Sequence, residues 1–345
     1  MQITDFNKLP IAKTEYEQQV IDFCQQWLAG QSHFSIKTSG STGEPKEILL
    51  TRQQMHASAL LTGKTFHLLP NDSALVCLNV AYIAGMMMLV RGMVLGLKLT
   101  IVEPSSNPLE FTEDVPFDFA AFVPLQLQTI LKSEKYKAQL ERMKAVIVGG
   151  AAVNETLNQQ IQALKVPVFS TYGMTETVSH IAIRQLNGVN SDSNFKVLEG
   201  VEINIDYRNC LNIKALATND ELIQTNDVVE LIDKKTFKLL GRFDNIINSG
   251  GVKIQLEKVE KSLEQFIQNR FFAYGIDDEN LGQKLVLIVE SEEWEAQKKV
   301  TILESLKPLL TKYEIPKMIY CVPIFKETPT GKIDKIQTLK VINLY

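Results

Sequence analysis

Residues 38–46 read TSGSTGEPK. Thr38, Ser39, Ser41 and Thr42 supply hydroxyls, Gly40 and Gly43 let backbone N–H groups come close to an anion, and Lys46 adds a positive charge. Donors packed this densely suit a polyphosphate. The order matches neither the G-x-x-x-x-G-K-[ST] nor the G-x-G-x-x-G pattern, and composition alone fits a polar surface turn equally well. A second residue also asks for chemistry. Arg91 stands inside the apolar run Val80–Leu97. A guanidinium placed there needs an anionic partner or a path to water. A substrate carboxylate and an acid of the core both meet that need.

Other chemistries find no support. Cys24, Cys77, Cys210 and Cys321 are far apart, with no C-x-x-C pair and no His/Cys cluster. Neither a zinc site nor a disulfide framework is indicated, and a reducing cytoplasm is the expected location. The formal net charge of −4, without a basic block, argues against a nucleic-acid partner. Residues 80–97 approach a membrane span in length, but Arg91, Gly85, Gly92 and Gly96 interrupt them, so a buried helix is expected. The opening MQITDFNKLP lacks the basic-then-apolar order of a signal peptide. His56 and His180 read as structural residues.

The elements that must position these groups follow from periodicity. Residues 17–28 have helical spacing, "EILLT" (47–51) is a short strand, and 52–67 is a helix. Strand-like runs at 73–80, 98–104, 117–124, 143–150 and 166–173 alternate with helical stretches at 82–96, 125–140 and 154–164. That alternation predicts a parallel α/β sheet, with ligands at the C-terminal ends of its strands. "VGGAAVN" (148–154) and "STYGMTET" (170–177) are turns of that kind. From about 183 to 240 short strands with polar breaks predict a β-rich subdomain. The expected fold class is therefore α/β. A large domain, residues 1–243, would have parallel-rich sheets and the β-rich subdomain 183–240. A small, mobile α+β domain, residues 244–345, would follow it.

Taken in order, TSGSTGEPK resembles the phosphate loop of the adenylate-forming superfamily, which includes acyl- and aryl-CoA synthetases, adenylation domains and firefly-type luciferases. Glu47 departs from the glycine usual after the lysine. Four further segments resemble the family's motifs in the family's order: "STYGMTET" (170–177), "TNDVVEL" (225–231), "GRFDNIINSGGVKIQLEKVE" (241–260) and "PTGKIDK" (329–335). The resemblance spans about residues 35–337. It implies that Tyr172 packs on adenine beside Gly173, that Thr175 contacts the α-phosphate, and that Glu176 holds magnesium. It further implies Asp227 and Arg242 on the ribose, Asp244 as an interdomain hinge, and Lys332 as the catalytic lysine. Asn226 replaces the glycine usual before that aspartate. The implied reaction joins a carboxylic acid to ATP, releases pyrophosphate, and passes the acyl group to coenzyme A.

The stretch "YIAGMMMLVRGMVLG" (82–96) is similar to the acid-binding stretch of o-succinylbenzoate–CoA ligases, sharing Gly85, Arg91 and Gly96 but lacking their His and Ser. On that resemblance Tyr82, Gly85 and Arg91 would bind the acid, with Gly149, Gly150 and Ala151 forming the opposite wall. An arginine there would take one carboxylate of a dicarboxylate while the other is activated. Only 37 residues precede the phosphate loop, fewer than is usual in the family. Three readings follow from that: a more open pocket, a pocket closed by a homodimer partner, or a reduced binding descendant. The alternatives to the leading activity are another aryl- or acyl-CoA ligase, an enzyme loading a carrier protein, and an inactive nucleotide-binding relative.

Overall fold

The structure, a computed structural model, describes residues 1–37, 47–328 and 332–344. The residues Thr38, Ser39, Gly40, Ser41, Thr42, Gly43 and Lys46, expected to hold phosphate, lie outside the described residues.

The chain opens with β1 (Gln2–Ile3) and α1 (Glu15–Leu28), then the antiparallel pair β2 (His33–Lys37) and β3 (Glu47–Thr51). α2 (Arg52–Phe66) starts at a capping box: Thr51 Oγ1 accepts from the Gln54 N–H, while Gln54 Oε1 accepts from the Thr51 N–H. The alternating region follows as β4 (Ser73–Val76), α3 (Ile83–Leu95), β5 (Lys98–Ile101), β6 (Phe119–Phe122), α4 (Pro124–Ile130), α5 (Glu134–Leu140), β7 (Ala145–Val148), α6 (Glu155–Gln162) and β8 (Val168–Gly173). The helix expected over 125–140 is two helices. At its middle, Lys132 and Ser133 bond three residues back, to Thr129 and Ile130, which tightens and ends the first.

Six strands come next: β9 (His180–Gln185), β10 (Phe195–Val197), β11 (Glu202–Ile205), β12 (Cys210–Lys214), β13 (Ile223–Asp233) and β14 (Thr236–Arg242). Among the described residues they extend the same sheet, whose order is β1-β5-β4-β6-β7-β8-β9-β10-β14-β13-β12-β11. Neighbours from β5 to β8 are parallel and those from β8 onward antiparallel. The β-rich segment is thus the far wing of one mixed sheet.

β6 and β7 are buried along their whole lengths, as parallel strands covered on both faces must be. Alternate residues point to opposite faces. Phe119, Ala121 and Ile147 join the core beneath α1, α2 and α3. Ala120, Phe122, Val146 and Val148 join a second core beneath α4, α5 and α6.

After Arg242 the chain builds a separate sheet from β15 (Ile246–Ser249), β16 (Val252–Gln255), β17 (Phe271–Asp278), β18 (Gly282–Glu290) and β19 (Met318–Val322). α7 (Leu256–Leu263) and α8 (Ala296–Leu306) contribute to the core on one face of it, and α9 (Lys335–Val341) to the core on the other. Among the described residues no helix is long and apolar enough to cross a membrane.

Candidate active site

The C-terminal ends of β4, β6, β7 and β8, together with the turn after β5, open onto one cavity of about 490 Å³. Cys77–Asn79 follow β4, Val123 follows β6, Gly149 and Gly150 follow β7, and Gly173–Thr175 end β8. Open parallel sheets place ligands at this edge.

α3 brings a charge to the cavity. It is apolar all round and buried along most of its length, ending at Gly96 in a left-handed cap. Gly85 admits it against the segment that follows β4: a Cβ there would lie 2.4 Å from the carbonyl oxygens of Leu78 and Asn79. Gly85 is therefore a packing residue and does not line the cavity, whereas Tyr82, at the helix start, does.

Arg91 lines the cavity at 2% exposure. Its Nε donates to Thr62 Oγ1 at 3.2 Å, its Nη2 to Ser179 Oγ at 2.7 Å, and its Nη1 points at Met88 Sδ at 3.4 Å. All three partners are neutral, and no core acid pairs with it among the described residues. Burial pushes the guanidinium down to about 10, still charged at neutral pH. His180 sits against the same groups, its Nδ1 3.3 Å from Ser179 Oγ and its Nε2 3.5 Å from Thr62 Oγ1. Burial first, and the Arg91 charge second, push its ring down to about 3, so it is neutral.

Gly149 and Gly150 form part of the wall, while Ala151 is exposed and does not line the cavity. Thr175 lines it, and Glu176 is exposed on the 3-10 turn Thr175–Thr177, with no ion-pair partner among the described residues. Tyr172 departs from its expected place. Along β8, Thr171 and Gly173 face the cavity, so Tyr172 points to the other side. Its ring is 6% exposed and packs against Phe195 and Phe237, leaving little face for a purine.

The Tyr172 hydroxyl donates instead to Asp227 Oδ2 at 2.6 Å. Asp227 Oδ1 accepts from Arg242 Nη1 at 3.3 Å, and Arg242 grips Asp244 with two bonds of 2.8 and 2.7 Å. That fork holds the Asp244 carboxyl below the usual carboxylate range. Glu257 of α7 accepts from the Arg242 N–H and from Asn245 Nδ2. The connection between the two sheets is thereby tied to the small one.

Lys332 belongs to the small lobe yet lines the cavity of the large one. Its turn is held by Thr328 N–H donating to the Lys332 carbonyl at 2.8 Å and by Asp334, which caps α9. Burial, then the charge of Arg242, lowers the ammonium below its ordinary value. Arg91 and Lys332, 241 residues apart by number (332 − 91), thus share one cavity. Thr62, Ser179 and His180 were not legible as site residues. The only signal for the last two was their place directly after STYGMTET.

Known proteins resemble this arrangement. A solved protein from Dyadobacter fermentans, an acyl-CoA synthetase (AMP-forming)/AMP-acid ligase II-like protein, is 45% identical and covers 97% of this chain and 96% of its own, with TM-score 0.66. The 2-succinylbenzoate–CoA ligase of Staphylococcus epidermidis is 26% identical over 86% of this chain and 67% of its own length. An o-succinylbenzoate–CoA synthetase from Bacillus subtilis, solved with its acyl-adenylate intermediate, shares the fold at 20% identity and TM-score 0.72, over 88% of this chain and 68% of that one. A family model described as AMP-binding enzyme matches residues 18–206, more than half the chain, and the chain belongs to that family.

Proposed function

We propose that this chain is an ATP-dependent acid–CoA ligase acting on an aromatic dicarboxylate, with o-succinylbenzoate as the substrate. The single observation that carries the reading is Arg91: a buried cation with only neutral partners, facing a cavity that also receives Lys332. A second carboxylate on the substrate supplies the missing anion, as a bidentate fork partner. The 2-succinylbenzoate–CoA ligases among its relatives support the same substrate.

In the first step an oxygen of the reacting carboxylate forms a bond to the α-phosphorus of ATP. The bond from that phosphorus to the bridging oxygen breaks, and pyrophosphate leaves with the electron pair. The step brings anions together, so it depends on positioning and charge. Lys332 is a compact cation, strengthened by its buried setting, for the carboxylate and the α-phosphate. Thr175 donates to the phosphate, and the backbone of Gly149 and Gly150 leaves room for a flat ring. Asp227 and Arg242 take the ribose hydroxyls, and 38–46 the leaving phosphates. Adenine lies elsewhere than on the buried face of Tyr172.

Glu176 fits a magnesium site as an exposed carboxylate, a hard oxygen donor with no ion-pair partner among the described residues. Glu176 would hold magnesium through its carboxylate, and the ion would supply charge neutralisation for the phosphates. In the second step the thiol of coenzyme A loses its proton to solvent and its sulfur bonds to the acyl carbon; the bond from that carbon to the phosphate oxygen breaks, and AMP departs with the electron pair. Lys332 must then withdraw, and Asp244 is the point about which the small lobe turns.

The test is pyrophosphate release with ATP, magnesium and a panel of acids. o-Succinylbenzoate gives the highest kcat/KM, and adding coenzyme A yields its thioester. A panel in which benzoate or a fatty acid outperforms the diacid removes the assignment.

A further inference from the structure

Val178 is the most strained residue near the cavity. It is β-branched, yet its backbone sits at φ 64° and ψ −53°. The Ser179 N–H donates to the Thr177 carbonyl at 2.7 Å, closing a three-residue γ-turn of the rare positive-φ kind. Strain of this sort persists only where the surroundings impose it. Here the Val178 side chain is fully buried. Thr177 Oγ1 accepts from the Met174 N–H at 3.0 Å and donates to the Ser179 carbonyl at 2.9 Å. Gly173 completes the clamp, since a Cβ on it would lie 2.2 Å from that same carbonyl oxygen.

The turn delivers one group, the Ser179 hydroxyl, to Arg91 Nη2 at 2.7 Å. In the arrangement that satisfies both hydroxyls, Ser179 accepts from Arg91 and donates its own hydrogen to His180 Nδ1. Neutral His180 carries its proton on Nε2 and offers it to Thr62 Oγ1, which in turn donates to the Ser58 carbonyl at 3.1 Å. The hydroxyls and the ring each find an acceptor, no member bears negative charge, and the three bonds made by Arg91 use three of its five N–H donors. The guanidinium is held in place without being neutralised.

We infer that Ser179, presented by the strained turn at Val178, is the positioning residue that aims Arg91 and so sets the preference for a diacid over a monoacid. The inference rests on the reading of Arg91 as receptor for the second carboxylate. The γ-turn follows directly on the 3-10 turn Thr175–Thr177, so acid selection and the phosphate-facing residue share one segment.

The experiment measures kcat/KM for o-succinylbenzoate and for benzoate with the full chain and with Arg91→Leu, Ser179→Ala and Ser179→Thr. Ser179→Ala lowers the diacid-to-monoacid ratio about tenfold or more, as loss of a hydrogen bond to a charged group does, mainly through the KM of the diacid. Ser179→Thr, which keeps a hydroxyl, restores most of the ratio. Arg91→Leu lowers it further still. A ratio that falls in Arg91→Leu but not in Ser179→Ala overturns the role of Ser179 and leaves the substrate reading standing. A ratio unchanged in both overturns the substrate reading and this inference with it. If Ser179→Ala does not fold, Ser179→Cys, close in size but a weak acceptor, takes its place in the comparison: a lowered ratio supports the role of Ser179 and an unchanged one overturns it.

Discussion

A buried, unneutralised guanidinium is costly, and that cost makes Arg91 testable by stability as well as by activity. Replacing it with Met, a side chain matching its neighbours Met86, Met87 and Met88, should raise unfolding stability by about 1 kcal/mol or more while abolishing diacid selectivity. Denaturant unfolding beside kinetics checks both, and a variant that is destabilised and still selective contradicts the account. His180 makes a pH prediction. Its folded value is about 3 against an ordinary 6.5, so between those values the unfolded chain binds the extra proton. Stability therefore falls as pH drops below about 6.5, by ~1.4 kcal/mol per pH unit from this group, and is unaffected by it above that. Between pH 7.5 and pH 5 a His180→Gln variant should lose about 2 kcal/mol less than the parent. Equal losses would show that the ring titrates normally.

At the scale of elements, two turns bear the mechanism. Gly173→Ala puts a methyl 2.2 Å from the Ser179 carbonyl oxygen, which the neighbouring backbone cannot yield cheaply. Displacing that turn moves Thr175 and Ser179 together. Adenylation should drop at least tenfold along with diacid selectivity, measured by pyrophosphate release. Loss of one without the other would mean the two residues are not carried as a unit. Asp244→Pro, between the Arg242 fork and Asn245, should slow thioester formation much more than adenylation. Equal slowing in single-turnover assays of the two half-reactions would exclude a hinge at that position.

Over the whole molecule, the sequence was most legible where periodicity and position agree. "EILLT" forms β3 over the very residues read as a strand, and the runs at 73–80, 117–124, 143–150 and 166–173 contain β4, β6, β7 and β8. The uniform burial of β6 and β7 writes a simple apolar signature. The 125–140 helix divided because backbone bonding, not composition, ends α4. The wing from β9 to β14 read as its own unit because short amphipathic strands do not reveal which edge they join. Arg91 was conspicuous as a charge in an apolar run, but its neutral cradle was not. Thr62 and Ser179 come from segments 117 residues apart by number (179 − 62), and only packing brings them together. At Tyr172 the motif names the residue, while strand alternation decides the face it presents. Lys332 is the residue whose position depends on the arrangement of both lobes. Lys332→Ala should reduce AMP formation with every acid by 100-fold or more, on the order of effects at groups contacting the transition state. AMP formation at the parent rate would remove it from the chemistry.

The central claim is that one cavity holds a dicarboxylate between Arg91 and Lys332. A crystal structure of the chain with o-succinylbenzoate and a non-reacting ATP analogue tests it most directly. The account predicts one carboxylate within about 3 Å of the Arg91 guanidinium nitrogens and the other facing the α-phosphate beside Lys332. A diacid bound with both carboxylates away from Arg91, or outside this cavity, would contradict it.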